Sequence, residues 1–364
     1  MRINWQMAFT YAPFAVWALS YVTFVRRTDL RIRHQAWWMA ALLACFSKFL
    51  CFKELGGHAF MPDLPALLIW VWDWAYSGAV ILFALSVICL FRFRLRTFVL
   101  PLLAWGLAAW GLWNGLSAPR VREITLAFEN LPAALEGYRI VHLSDLHCSS
   151  AAHRWRTQAV ADAVNAVEAD LVCVTGDNVD GRMDRLSEDL EPLAHLRARD
   201  GVWFVTGNHE HYNVRHGWSD WYRRKGCRFL ANACVFPHAG LALGGVDDHT
   251  GCYYRTITAP PDVRQAFAAA TNGEFRILLQ HRPKEAVLNC REVGVDLQLS
   301  GHTHGGIAPG LRQLVEHYNA GFSRGVYPIG GSYLYVNSGC GQWPGFPMRF
   351  LTPSEIALIT LHRK

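Results

Sequence analysis

The chain has 364 residues, of which 52% are hydrophobic, 13% aromatic and 18% charged, with a mean hydropathy of +0.10. So low a charged fraction, against the usual quarter, excludes a disordered chain, a coiled coil and a small disulfide scaffold. The net charge of +6 belongs to the first third. Residues 1–116 hold ten Lys/Arg against four Asp/Glu, and residues 117–364 hold 25 of each, so the remainder carries no basic footprint for nucleic acid.

Four apolar runs come first, at Trp5–Val25, Gln35–Phe52, Ala66–Phe91 and Phe98–Leu116, and between them they carry only Lys48 and Asp73 as charges. About 20 helical residues cross a bilayer core about 30 Å thick, and a cleaved signal peptide would account for one run, not four. Residues 1–118 are therefore expected to form an all-α transmembrane region of four helices, at about 5–25, 35–52, 66–91 and 98–116, with the lipid bilayer as partner. Trp37, Trp38, Trp70, Trp72 and Trp74 cluster near run ends, as interfacial belts do. The first loop holds Arg26, Arg27, Arg31 and Arg33 against Asp29, and the third holds Arg92, Arg94 and Arg96 with no acid. The positive-inside rule places both loops in the cytoplasm and everything after Leu116 outside. Lys48 and Asp73 then lie at similar depth, where they could pair; the plainer alternative is that Lys48 snorkels and Asp73 meets interfacial water.

Pro119 follows the last run, and the boundary is expected within Ser117–Val121. From residue 119 to 364 short β-rich runs recur at Arg139–Ser144, Leu171–Thr175, Val202–Thr206, Leu241–Val246, Arg276–Gln280, Asp296–Leu299, Tyr333–Asn337 and Ile356–Leu361. Helix-like stretches such as Thr157–Ala169, Asp184–Leu196 and Pro261–Ala270 lie between several of them, the pattern of an α/β layered fold. Seven of ten cysteines fall in this part, with no CxxC. An odd number sits poorly with an oxidising compartment and weighs against the outward placement. Cys227 and Cys234 are the nearest pair that a hairpin could join.

Polar groups follow these strands. Asp145-Leu146-His147, Gly176-Asp177-Asn178, Gly207-Asn208-His209-Glu210, His281-Arg282-Pro283 and Gly301-His302-Thr303-His304-Gly305-Gly306 each stand at the end of an apolar run. Ligand sites of α/β folds lie at the carboxyl ends of strands. One such group is an ordinary turn; five are hard to obtain by chance. Two Asp, one Asn and four His suit Zn, Mn or Fe. Seven groups exceed the needs of a mononuclear zinc site, and a shared carboxylate would let them hold two divalent ions. Glycines before Asp177, Asn208 and His302 are expected to allow sharp turns, and Gly305-Gly306 to let backbone approach closely.

The series SDLH, GDNVD, GNHE, HRP and GHTHGG, in that order, resembles the calcineurin-like metallophosphoesterase superfamily over about 240 residues from Val121. The stretches EGYRIVHLSDLH, GVWFVTGNHEHY, GGVDD, LQLSGHTHGG and GQWPGFPMRFLTPSEIALITL resemble the branch of membrane-associated bacterial phosphoesterases typified by YkuE and YaeI. That branch includes a UDP-diacylglucosamine pyrophosphatase. The resemblance implies a four-layer αββα sandwich over 119–364 with two metal ions at its crest. It assigns Asp145, His147 and His304 to the first ion, Asp177 to both, and Asn208, His281 and His302 to the second, with His209 meeting the leaving-group oxygen. The implied activity is hydrolysis of a phosphoester or pyrophosphate bond by in-line attack of a metal-bridging hydroxide. The substrate could be lipid-linked or part of the cell envelope, for a multi-pass protein of the bacterial inner membrane with its catalytic domain extracytoplasmic.

Other residues keep two readings. Arg282 could clamp a substrate phosphate bidentately or face solvent. Glu210 could orient a ligand or its loop. His142, His211 and His249 are expected outside the ligand set, and Asp247-Asp248 either end a strand in a turn or touch the site. The aromatic and basic stretch from Trp218 to Lys225 is an ordinary amphipathic helix or a membrane-surface element over the site. The alternatives to a hydrolase are a non-catalytic membrane sensor or scaffold, which would be expected to lack some of these groups, and a transporter, for which four spans with one Asp and one Lys offer little.

Overall fold

The computed structural model describes residues 5–89, 98–212, 217–308 and 310–364. Arg92, Arg94 and Arg96 and the end of the third apolar run therefore lie outside the described residues. The chain divides into two compact units, residues 1–116 with 344–348, and residues 117–343 with 349–364.

The first unit is helical, with α1 (Trp5–Thr23), α2 (Ile32–Phe46), α3 (Lys48–Gly56), α4 (Ala66–Ile88) and α5 (Val99–Leu116). Among the described residues, α4 and α5 are long and apolar enough to cross a membrane, and α2 with α3 adds a third if that bent pair is one span. The second run, expected as one helix, is thus two, meeting at 51°. At the break the Ser47 hydroxyl donates to the Ala44 carbonyl at 2.7 Å, competing with the helical ladder. Phe24, Phe46, Phe49, Tyr76 and Leu82 form the core of the bundle. Lys48 does not snorkel. Its Nζ is 2.7 Å from Asp73 Oδ1, with both side chains at most 1% exposed, and it donates to the Pro344 carbonyl at 2.8 Å. The rings of Phe49, Phe52 and Tyr76 surround it at 4.8–5.3 Å. A buried ion pair is tolerated only when its remaining donors are met; here a carbonyl and three ring faces contribute.

The second unit holds two six-stranded mixed sheets. One contains β1 (Arg120–Phe128), β2 (Arg139–Leu143), β4 (Leu171–Val174), β6 (Val202–Phe204), β7 (Arg228–Phe229) and β14 (Glu355–Arg363), in the order β1-β14-β2-β4-β6-β7. The other contains β8 (Ala233–His238), β9 (Leu241–Gly245), β10 (Phe275–Leu279), β11 (Leu297–Ser300), β12 (Gly325–Ile329) and β13 (Ser332–Val336), in the order β12-β13-β11-β10-β9-β8. A short parallel pair, β3 (Cys148–Ser149) with β5 (Val179–Asp180), stands apart.

The period-two alternation of strands sets the layers. Ile140, Leu171, Leu243, Ile277, Leu299 and Ile359 pack together between the sheets. Val141, Leu143, Val172 and Val174 face the other way, onto α6 (Arg154–Asn165), α7 (Met183–Leu190) and α9 (Trp218–Arg224). Ala242, Leu278, Leu334 and Val336 lie beneath α11 (Val263–Ala266) and α12 (Ala286–Leu288). Three further helices complete the unit: α8 (Asn208–Tyr212), α10 (Thr250–Tyr254) and α13 (Leu311–Tyr318).

All eight anticipated strands are present. The sequence does not announce β1, β7, β8 and β12 of the two sheets or the short pair β3 and β5, and Pro261–Ala270 contracts to α11. Trp218, Trp221 and Tyr222 on α9 are buried against the first sheet, so this stretch is an amphipathic helix whose aromatic face is core. All ten cysteines are free, Cys227 and Cys234 included.

Candidate metal centre

The carboxyl ends of β2, β4, β10 and β11 and the start of α8 bring the polar groups together. Asp145, His147 and His304 form one cluster, and Asp177, His281 and His302 another. His147, Asp177 and His209 form a third between them, with ligand atoms within 4.8 Å of one another in each. His147 Nε2 and His304 Nε2 are 3.0 Å apart, and His304 Nε2 is 3.5 Å from Asp145 Oδ1. Asp177 Oδ2 lies 3.2 Å from His281 Nε2 and 4.0 Å from His147 Nε2, between the two outer clusters. Asn208 and His302 meet at one guanidinium: Arg282 Nη2 is 3.3 Å from Asn208 Oδ1, and Nη1 is 3.4 Å from His302 Nε2.

The backbone is bent to achieve this. Asp145, His147, Asp177, His302 and His304 all have φ between 47° and 71°, a left-handed conformation that side-chain-bearing residues rarely adopt and that collects at functional sites. Of the three glycines expected at sharp turns, only Gly176 has a positive φ, +88°. Gly207 is needed for space instead, since a Cβ there would collide with the Asp177 carboxylate; Gly301 does the same beside Ser144 and Asp145.

Hydrogen bonds fix which ring nitrogen faces the centre. His281 Nδ1 donates to the Thr175 carbonyl at 2.7 Å, so Nε2 is the nitrogen turned to the Asp177 carboxylate, where it holds a proton or a metal ion. His147 Nδ1 donates to Asp180 Oδ2 at 2.9 Å, leaving its Nε2 toward His304. Ring nitrogens and carboxylates converging on one another, most of them buried, are a donor set for cations, and the outward Nδ1 contacts are those that orient metal-ligating histidines. The residues therefore fit divalent metal ions, for which imidazole with carboxylate is a suitable donor set. Protein charges alone show the same demand: burial favours a neutral His281, yet Asp177, Asp145 and Asp248 together outweigh burial and lift the ring to about 10. Burial pushes His302 and His304 well down.

Asp180, for which the sequence alone suggests no role, organises the centre. Its second oxygen accepts from His209 Nδ1 at 2.5 Å, so one buried carboxylate holds both His147 and His209. Burial alone would raise Asp180, but the two rings hold it down to about 2. Burial also opposes charge on His209, yet Asp180 and then Asp177 lift that ring to about 9. The signal was present as the last letter of GDNVD.

Glu210 orients loops rather than metal. Its carboxylate accepts from the backbone of Asp177 and Asn178 at 2.8 Å and of Gly207 at 2.7 Å, tying two strand ends together. Arg282 does not simply face solvent: Asp248 Oδ2 accepts from its Nε at 2.6 Å, and Thr250 accepts from Nη2 at 3.1 Å. Asp248 thus reaches the site through Arg282, whereas Asp247 accepts from Thr206. His142 and His211 bond to threonines, and His249 pairs with Glu285; none belongs to the clusters.

Residues 138–306 match the family model described as calcineurin-like phosphoesterase. An uncharacterized metallophosphoesterase of Aquifex aeolicus is 32% identical over 251 residues, covering 67% of this chain and 92% of that protein. A transmembrane protein with metallophosphoesterase domain from Danio rerio is 34% identical over 264 residues, covering 70% of this chain and 60% of that one. The metallophosphoesterase YkuE of Bacillus subtilis is 29% identical over 253 residues, covering 66% and 84%. Of several of its relatives, the Danio rerio protein among them, the chain spans less than two thirds of the length. On its motifs, its site and these relatives, the chain belongs to the calcineurin-like metallophosphoesterase family, in the YkuE-like branch.

Proposed function

We propose that this chain is a membrane-anchored, metal-dependent phosphohydrolase that cleaves a phosphoester or phosphoanhydride bond in a lipid-borne or cell-envelope substrate. The observation that carries the reading is the convergence of two His/Asp clusters about Asp177, with His209 held beside them by Asp180. Asp145, His147 and His304 would hold one divalent ion, Asn208, His281 and His302 the other, and Asp177 both. Bound there, the ions would lower the pKa of water and neutralise phosphoryl charge.

The chain's own groups supply the rest. Arg282, fixed by Asp248 and Thr250, turns the Nη edge of its guanidinium to the centre, where it would orient a phosphate oxygen. His209 would carry a proton on Nε2 while Asp180 accepts from Nδ1. In hydrolysis the water oxygen bonds to phosphorus in line as the bond to the leaving oxygen breaks. His209 gives its proton to that oxygen, and a proton of the water restores the ring.

A bilayer anchor supports a lipid-borne substrate, because it raises the local concentration of the site at the headgroup plane. A non-catalytic sensor is disfavoured by the complete ligand set. The arginine-rich loops support an extracytoplasmic site if the bent pair α2–α3, α4 and α5 each cross: both loops then share the cytoplasmic side and the chain after Leu116 lies outside. The metal-loaded full-length protein in detergent should hydrolyse bis(p-nitrophenyl) phosphate; none at any metal loading sinks the reading. Alkaline phosphatase fused after Lys364 should be active, and a dark phosphatase with a bright fluorescent fusion would reverse the topology and point to a cytosolic lipid precursor.

A further inference from the structure

A row of aromatic rings leads from His209 out to solvent. The Tyr212 ring stands 5.1 Å from that of His209, Tyr254 is 5.4 Å from Tyr212, and Tyr253 is 5.0 Å from Tyr254, each pair edge to face. Exposure rises along the row, from 40% at Tyr212 to 46% at Tyr254 and 68% at Tyr253. The aromatic residues of α9 set the contrast: Trp218, Trp221 and Tyr222 are all buried as core. Rings this exposed keep part of their apolar surface open to another group, at a small cost in side-chain entropy.

The row has a direction set by chemistry. It starts at the histidine placed against the leaving oxygen. Tyr212 closes the same short helix, α8, that begins with Asn208. Arg282, beside Asn208, marks where a phosphate would sit. On that reading a group bonded to the leaving oxygen would pass His209 and lie along Tyr212, Tyr254 and Tyr253.

We propose that Tyr212, Tyr254 and Tyr253 form the leaving-group subsite and select substrates whose departing alcohol or phosphate carries an extended apolar group. This rests on the phosphohydrolase reading above. The shared chemistry is apolar contact with ring edges and faces, which an aromatic moiety or an acyl chain can supply.

The test uses metal-loaded full-length protein in detergent and a set of phosphodiesters with a common methyl group on one side and methyl, 1-naphthyl or decyl on the other. The readout is the ratio of kcat/KM for each apolar ester to that for the dimethyl ester. A double Tyr253→Ala, Tyr254→Ala variant should lower that ratio about tenfold, the scale of lost aromatic contacts, while Tyr253→Phe with Tyr254→Phe should retain it. Metal content equal to that of the unmodified protein shows that the variant has kept its site. A ratio that falls for naphthyl only identifies an aromatic occupant, and one that falls for decyl only an acyl chain. Wild-type ratios in the alanine variant would overturn the subsite while leaving the hydrolase reading intact. Hydrolysis of none of the esters, with bis(p-nitrophenyl) phosphate also inert, would overturn both.

Discussion

Asp180→Asn is the most informative single change, because one carboxylate serves two histidines with different tasks. In the protein both oxygens accept, from His147 Nδ1 at 2.9 Å and from His209 Nδ1 at 2.5 Å. An asparagine offers one acceptor and one donor, so one histidine loses its partner or faces an N–H. A hydrogen bond to a charged group contributes about 1.5–3 kcal/mol, and a stranded buried donor costs about 1–3 kcal/mol. A loss of about 2–3 kcal/mol corresponds to roughly 30- to 150-fold in rate. If the amide N–H faces His209, the loss should appear in kcat and be largest for poor leaving groups. If it faces His147, the first metal ion should bind more weakly, on the scale of about 10–100-fold for an outer-shell partner. The assay is kcat across a series of aryl phosphodiesters of increasing leaving-group pKa, with metal content measured on the same samples. A variant within about threefold of wild type across the series, with full metal content, would refute the reasoning.

His209→Ala should retain its metals and lose roughly 10²–10⁴ in rate, with the loss shrinking for good leaving groups; an equal loss across the series would leave substrate positioning as the role of this ring. Asp145→Asn should mainly empty the first site, which titration with Mn would show as a lost high-affinity step; retention of both steps would count against its assignment. His142, buried between the sheets on β2, is pushed down by burial from 6.5 to about 3. The fold therefore keeps it neutral while the unfolded chain takes up a proton below about 6.5, so stability falls as pH drops from about 6.5 towards 3, by on the order of 5 kcal/mol in full. His142→Gln should flatten the decline of Tm between pH 7 and 5, and an unchanged slope would contradict this.

The legible parts of this chain are those written in local pattern. Apolar runs such as Leu171–Val174 and Leu297–Ser300 announced strands, and the polar groups after them announced a site, because the residues around a strand end are contiguous in sequence. The order β1-β14-β2 could not be read, since pairing Arg120–Phe128 with Glu355–Arg363 joins segments more than 220 residues apart. Asp180 escaped because an aspartate two residues past Asn178 reads as an ordinary turn; only the fold brings His147 and His209 to its two oxygens. The break at Ser47 was hidden by the apolar residues on both sides of Ser47-Lys48, since apolarity measures transfer to lipid and not the competition of a hydroxyl for a carbonyl. Gly207 was correctly singled out for the wrong reason: sequence suggests a turn, whereas the structure shows a Cβ excluded by the Asp177 carboxylate.

The most direct test of a two-ion centre bridged by Asp177 is elemental analysis of the full-length protein and its Asp177→Asn variant, each reloaded with Mn and assayed on bis(p-nitrophenyl) phosphate. The wild type should hold about two ions per chain and lose hydrolysis on chelation, as expected of a paired-ion site. The variant should hold fewer than about one and be inactive at any loading. About two ions per chain in Asp177→Asn, or hydrolysis that survives metal removal from the wild type, would contradict the account.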